Sequence, residues 1–250
     1  MERLFEDHSR VIKGVFFDLG GTLYTYKNVP AATAPLLHKA LEKVGIIASK
    51  DQVKNAYLEA TNLTIKEYSC KSYYLHESFF LAVFKSFIEL LGGIEKGELN
   101  DWYIHSHRKC IVDCLELKTD CISLLKTLKN MGVYVSIVSN IDQDMLEPLI
   151  ARDQLSKYLN HWTSSEKVRS CKPDQKIFRH ALELANLREK EVLFVGDSPE
   201  HDILGASRLG MLTALITDGG MPPPLQSGVK NVTPDFTIKE LNDILEVIGH

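Results

Sequence analysis

Three short apolar runs, each closing on a small polar or acidic residue, constrain this chain most. They are residues 14–18 (GVFFD), 133–140 (VYVSIVSN) and 192–197 (VLFVGD). Continuous β-rich runs of this length, flanked by helical patterns, predict strands buried on both faces of a parallel sheet. A fourth candidate strand lies at 212–217 (LTALIT). Between the runs, residues 119–131 place Cys121, Ile122, Leu124, Leu125, Leu128 and Met131 at helical spacing, with Gly132 set to stop the helix. Residues 174–185 repeat the pattern behind Pro173. The order strand, helix, strand after residue 115 predicts an α/β fold with a doubly wound parallel sheet.

Residues 30–113 break that rhythm. They contain no convincing strand and predict consecutive helices at 31–44, 51–68, 78–91 and 99–115, an all-helical module inserted after the first strand. The expected division is an α/β core of residues 1–26 and 115–250 with a helical module of 27–114. Tyr73, Tyr74, Phe79 and Phe80 are expected in the module's interior. The run Pro222-Pro223-Pro224 predicts a stiff connection before a last helix at 238–248.

The 250-residue chain is 44% hydrophobic and 25% charged, with net charge −4, which suits a globular protein. No stretch concentrates Lys and Arg enough for nucleic acid; Arg108-Lys109 reads as a solvated helix face. The opening residues are too charged for a secretory leader and no run is long enough to span a membrane. Five cysteines without zinc spacing point to reduced thiols and a cytoplasmic location. His105 and His107 are two apart on a predicted helix, so they face different ways rather than forming a metal pair. Cys110 and Cys114 share a face and are expected to pack as small apolar groups.

Ligands bind beyond the carboxyl ends of a parallel sheet's strands. Asp18, Ser139-Asn140 and Asp197 end the three clear strands and would project to one edge, where Lys172 in "SCKPDQKIF" could join them. With Asp18-Leu19-Gly20-Gly21-Thr22, Ser139-Asn140, Lys172-Pro173 and Gly196-Asp197-Ser198 followed by Asp202, the chain resembles the four motifs of the haloacid dehalogenase superfamily. The helical insert resembles that family's C1 cap. The resemblance implies an Mg²⁺-dependent hydrolase, most simply a phosphatase of a small phosphorylated metabolite. Asp18 would be the nucleophile that forms an aspartyl-phosphate. Mg²⁺ would be held by Asp18, Asp197 and the main-chain carbonyl of Gly20, with Asp202 orienting them. Ser139, the amide of Asn140, and Gly21 and Thr22 of the nucleophile loop would bind the phosphate oxygens. Lys172 would neutralise the transferring phosphoryl group.

The departure from the family pattern is Gly20. Phosphatases of the family carry there an aspartate that protonates the leaving oxygen and later activates water. Such assistance is typically worth ~10²–10⁴ in rate. Three readings stay open. A phosphatase could draw its acid from elsewhere, with Tyr24 and Tyr26 as candidate pocket residues and Arg169 and Ser170 at the rim. A C–P hydrolase could use a cap lysine among Lys39, Lys43, Lys50, Lys54, Lys66, Lys71, Lys85 and Lys96. A phospho-ligand binding or interaction protein would need no acid at all. Asp197 speaks against the halide-removing branch, which needs no metal.

Overall fold

The computed structural model describes residues 11–94, 96–217 and 232–249. Six parallel strands form the central sheet: β1 (Gly14–Phe17), β4 (Tyr134–Ser139), β5 (His161–Ser164), β6 (Val192–Gly196), β7 (Leu212–Ile216) and β8 (Phe236–Ile238), in the spatial order β5-β4-β1-β6-β7-β8. A two-stranded antiparallel ribbon, β2 (Tyr24–Thr25) with β3 (Glu116–Leu117), closes the base of the inserted module.

Alternation along β1 builds two cores. Successive side chains of a strand face opposite ways, so Val15 and Phe17 join one apolar cluster and Phe16 the other. The first cluster is covered by α5 (Cys121–Asn130), α6 (Gln143–Arg152) and the terminal α10 (Ile244–Ile248). The second is covered by α8 (Gln175–Ala185) and the short α9 (Gly205–Ser207), which contribute Ile177, Phe178, Ala181 and Ala206. α7 (Ser165–Val168) is a single turn directly after β5. From β1 the chain runs to β4 and β5 on one side, then returns to β6, β7 and β8 on the other. The carboxyl end of β1 is therefore the topological switch point, where open α/β sheets bind ligands.

The inserted segment is helical: α1 (Val29–Lys43), α2 (Lys50–Tyr68), α3 (His76–Leu90) and α4 (Gly97–Cys114). Pro30 opens α1, and a reciprocal cap between Ser49 and Gln52 opens α2. α1 packs on α4 and α2 on α3. Their shared interior is a separate apolar cluster that includes Leu37, Leu41, Val53, Phe79, Val83, Phe84, Phe87 and Tyr103. Phe84 and Tyr103 stack with centroids 3.8 Å apart.

Several expectations are corrected. The last helix does not run from 238: Ile238 ends β8, Leu241–Asp243 is a 3₁₀ turn, and the helix proper is Ile244–Ile248. β5, β8 and the β2–β3 ribbon carry no signal in the sequence reading above. Arg108 is not a plain solvated residue, since its guanidinium bridges Glu77 of α3 and Asp144 of α6, the latter at 2.7 Å. His105 is exposed and His107 buried, as their two-residue spacing requires. The triple proline at 222–224 lies outside the described residues.

Candidate active site

Asp18 follows β1 directly, Ser139 ends β4 and Asp197 follows β6, so three adjacent strands deliver three polar groups to one edge. Ser139 Oγ donates to Asp18 Oδ1 at 3.0 Å. The Lys172 ammonium donates to the same oxygen at 2.5 Å and to Asp202 Oδ1 at 2.6 Å. Both bonds to Asp18 use Oδ1, which fixes the carboxylate's rotation and leaves Oδ2 without a hydrogen bond among the described residues. Lys172 itself is only 3% exposed. Its loop is held from behind: the Asn140 side-chain amide donates to the Lys172 carbonyl at 3.0 Å and accepts from the Lys172 amide at 2.7 Å. Asp202 sits on a π-helical turn, Pro199–Leu204, and its second oxygen accepts from the Ser198 amide at 3.0 Å.

One carboxylate oxygen from each of Asp18, Asp197 and Asp202 lies within 4.8 Å of the others. Burial pushes the Asp197 carboxyl well above its ordinary value, and the charges of Asp18 and Asp202 push it further. Burial also raises Asp202, against the pull of Lys172. Burial disfavours charge on Lys172, but Asp18 and Asp202 more than offset it and hold the ammonium protonated. Lys172 thus faces three carboxylates, with Lys118 a weaker pull on Asp197, which has no ion-pair partner among the described residues. Hard oxygen donors gathered this tightly suit a small divalent cation. The carbonyl of Gly20, the other donor expected, enters no hydrogen bond among the described residues. The donor set fits Mg²⁺ chemistry.

The loop after Asp18 turns back sharply. The Leu19 carbonyl accepts from both Leu23 and Tyr24 amides, and the Gly21 amide is taken by the Tyr24 carbonyl at 2.7 Å. Gly21 has φ +79°, and a Cβ on it would lie 2.5 Å from Asp197 Cγ, so only glycine fits under that carboxylate. Its amide is therefore not free for phosphate, which corrects that expectation. Thr22 is fully buried, off the cleft wall, with its hydroxyl unpartnered. Tyr24 is a clearer correction: it is 0% exposed and its hydroxyl donates to Asp153 Oδ2 at 2.6 Å, on the core side, so it lines no pocket. Arg169 and Ser170 also stay off the cleft; Ser170 donates to Asp174 at 2.8 Å.

Tyr26 does line the cleft, and it answers why residue 20 is glycine. A Cβ on Gly20 would overlap the Tyr26 hydroxyl and lie 2.8 Å from its Cζ. The ring occupies the space into which a side chain at 20 would grow. Burial, then the charges of Asp197, Asp18 and Asp202, hold the phenol well above its ordinary pKa.

The cleft is about 1260 Å³ and runs from Asp18, Ser139 and Lys172 outward between α1, α2 and α3, past Leu37, Val53, Tyr57, Phe79 and Val83. Two histidines missed by sequence reasoning share its wall. His76 opens α3, with its Nε2 buried and unpartnered. Burial lowers its pKa to about 4 despite the charge of Asp18. His201, next to Asp202, is likewise lowered to about 4 by burial. His201 was findable as a neighbour of Asp202; His76 carries no local signal. Asp142 was missed too: its carboxylate accepts from the His76 and Glu77 amides at 2.9 and 2.7 Å, capping α3 from the end of β4. Of the eight lysines named above, Lys39, Lys50 and Lys54 reach the cleft wall, all at its exposed rim. An imine-forming lysine is activated by desolvation or a cationic neighbour, so the C–P reading gains nothing from them.

Residues 12–210 match the family described as haloacid dehalogenase-like hydrolase. Among curated proteins, the chain is 29% identical to pyrimidine 5'-nucleotidase YjjG of Escherichia coli over 66% of its own length and 69% of that protein's. It is 26% identical to glyceraldehyde 3-phosphate phosphatase of Methanopyrus kandleri over 95% of its length and 97% of the relative's. It spans about half the length of several others. Among solved structures, the HAD-hydrolase YfnB of Bacillus subtilis, bound to magnesium, superposes with TM-score 0.73 at 18% identity, covering 96% of this chain and 99% of that one. No helix among the described residues is long and apolar enough to cross a membrane.

Proposed function

We propose that this chain, which belongs to the haloacid dehalogenase-like hydrolases, hydrolyses the phosphate ester of a small metabolite through an aspartyl-phosphate on Asp18. The observation that carries the reading is the arrangement of Asp18, Asp197 and Asp202 within 4.8 Å around a single buried lysine at the inner end of a cleft. Mg²⁺ held by Asp18, Asp197 and the Gly20 carbonyl, oriented by Asp202, would neutralise the phosphoryl oxygens. Asp18 attacks phosphorus with a carboxylate whose rotation Ser139 and Lys172 have already fixed. Positioning of this kind replaces orientational entropy that a free carboxylate would lose in the transition state. Lys172 is the donor nearest the charge that develops on the phosphoryl group. Asn140 keeps that lysine in place through its backbone and, in this reading, offers its own amide to the phosphate.

The module of residues 27–114 acts as a cap over the site. Its polar contacts with the core include Asp142 on α3, Arg108 on Asp144, Arg152 on the Val112 carbonyl and the Cys171 amide on the Ser72 carbonyl at 2.8 Å, beside apolar packing of Val29, Ile111 and Val112. Opening admits substrate and closure excludes water. The mostly apolar walls beyond the phosphate end favour an organic group with apolar surface over a highly charged one. The five cysteines are free, which suits a cytoplasmic enzyme. The test is phosphate release from a panel of phosphomonoesters with Mg²⁺ and with chelator. Release that stops on chelation supports the reading; release unaffected by chelation contradicts the metal's part in it.

A further inference from the structure

Among the described residues, the side-chain donors close to Asp18 divide into those with a hydrogen-bond partner and those without. Ser139 Oγ and the Lys172 ammonium are bonded to Asp18, and the Asn140 side chain is bonded at both ends to the Lys172 backbone. The rings of His76 and His201 and the Tyr26 hydroxyl have no hydrogen bond among the described residues, and of these it is Tyr26 that fills the place of a side chain at residue 20. Tyr26 comes from the nucleophile's own loop. The turn at Leu19 and the bridge of Gly20 with Tyr24 carry the chain back so that the phenol oxygen stands against Gly20, two residues from Asp18. It projects into the cleft that also holds Asp18, Ser139, Lys172 and Asp197.

Phosphoryl transfer to a carboxylate leaves charge on the departing oxygen. An aryl oxide or carboxylate carries that charge unaided, whereas an alkoxide needs a donor. A donor kept unpaired beside the nucleophile has no use unless the leaving group is poor.

We infer that the Tyr26 hydroxyl meets the leaving oxygen, in the space a side chain at residue 20 would fill, and that the substrate is an alkyl rather than an aryl or acyl phosphate. The inference rests on the phosphatase reading. An Asp18 carboxylate oxygen forms a bond to phosphorus as the ester P–O bond breaks. The electron pair stays on the alkoxide oxygen, Tyr26 O–H donates a hydrogen bond to it, and a solvent proton completes the alcohol. Water then attacks phosphorus of the acyl phosphate, which restores Asp18 and frees phosphate.

The experiment compares kcat/KM for para-nitrophenyl phosphate and for a series of alkyl phosphates. The proteins are the natural one, Tyr26→Phe, Gly20→Ala, the double variant and His76→Gln. Tyr26→Phe is expected to lose about 10²-fold on alkyl phosphates and less than about fivefold on the aryl ester, whose oxide needs little help. Gly20→Ala, which pushes the hydroxyl aside, should show the same selective loss. The double variant should be no worse than either single, because both remove one interaction. Equal losses on both ester classes, or none, overturn the role of Tyr26 while leaving the phosphatase reading intact. A selective loss in His76→Gln alone assigns the donor to His76 and also overturns it. No turnover of any ester by the natural protein overturns both readings together.

Discussion

The ammonium of Lys172 lies 2.5 Å from Asp18, and the same nitrogen lies 2.6 Å from Asp202. One buried cation therefore holds Asp18 and Asp202 in a fixed relation before any ligand arrives. Removing one partner of a buried ionic group leaves the others uncompensated, at a cost of about 3–5 kcal/mol. Lys172→Met is expected to lose turnover and to unfold at lower denaturant concentration by that margin. Millimolar Mg²⁺ should restore part of the stability but none of the turnover, because a cation bound only to the folded state stabilises it by mass action. Urea unfolding with and without Mg²⁺ checks this. A variant as stable as the natural protein without metal would contradict it.

Asp142 caps α3 although it belongs to the end of β4, so it ties the helical module to the sheet at the edge of the site. Losing a helix cap typically costs about 0.5–2 kcal/mol. Asp142→Ala is expected to cost that much and to raise KM more than it lowers kcat, since the wall carrying His76 would close less firmly. Steady-state kinetics beside a melting curve separates the two effects.

Restoring the carboxylate is not expected to work by itself. Gly20→Asp drives its Cβ into the Tyr26 ring, and overpacking of this kind costs about 1–3 kcal/mol. The single variant should be less stable and no faster on alkyl phosphates. Gly20→Asp with Tyr26→Ala makes the room and should exceed the Tyr26→Ala single on the same substrates by about 10-fold or more. Melting curves and alkyl phosphate turnover of the three variants decide the matter.

His107 is 4% exposed between the rings of Phe80 and Tyr103, and burial lowers its pKa to about 4. The unfolded chain takes up that proton near pH 6.5. Between about 6.5 and 4 the unfolded state binds more protons, so stability is full above that window and falls as pH falls through it. The loss from this one group is about 3 kcal/mol at most. His107→Phe, which keeps an apolar ring there, should flatten that part of the stability profile. Denaturant unfolding at pH 7, 6, 5 and 4 measures it.

How much was legible follows from what each signal depends on. β1, β4 and β6 are buried on both faces, so their residues are mostly apolar and their ends could be read together with Asp18, Ser139 and Asp197. Parallel pairing then brings those ends to one edge without any side-chain knowledge. β5 escaped because it is an edge strand reading His161-Trp162-Thr163-Ser164, half polar by composition. The last helix was drawn too long because Ile238 falls in phase with Leu241, Ile244, Leu245 and Ile248, while in the fold it is the buried end of β8. Tyr24 and Tyr26 were indistinguishable as types. Their opposite fates depend on the turn at Leu19 and on Asp153, which no local pattern encodes. The crowding of Gly20 by Tyr26 is likewise tertiary, so the glycine read only as an absence.

The central claim is that Asp18 is the nucleophile of a phosphatase. The most direct measurement is phosphate release from para-nitrophenyl phosphate with Mg²⁺ by the natural protein and by Asp18→Asn, with both shown folded by circular dichroism. Turnover by the natural protein and a loss of at least about 10³-fold in the variant are expected, since a neutral amide cannot form the aspartyl-phosphate. Equal release by both proteins, or none by the natural one, would contradict it.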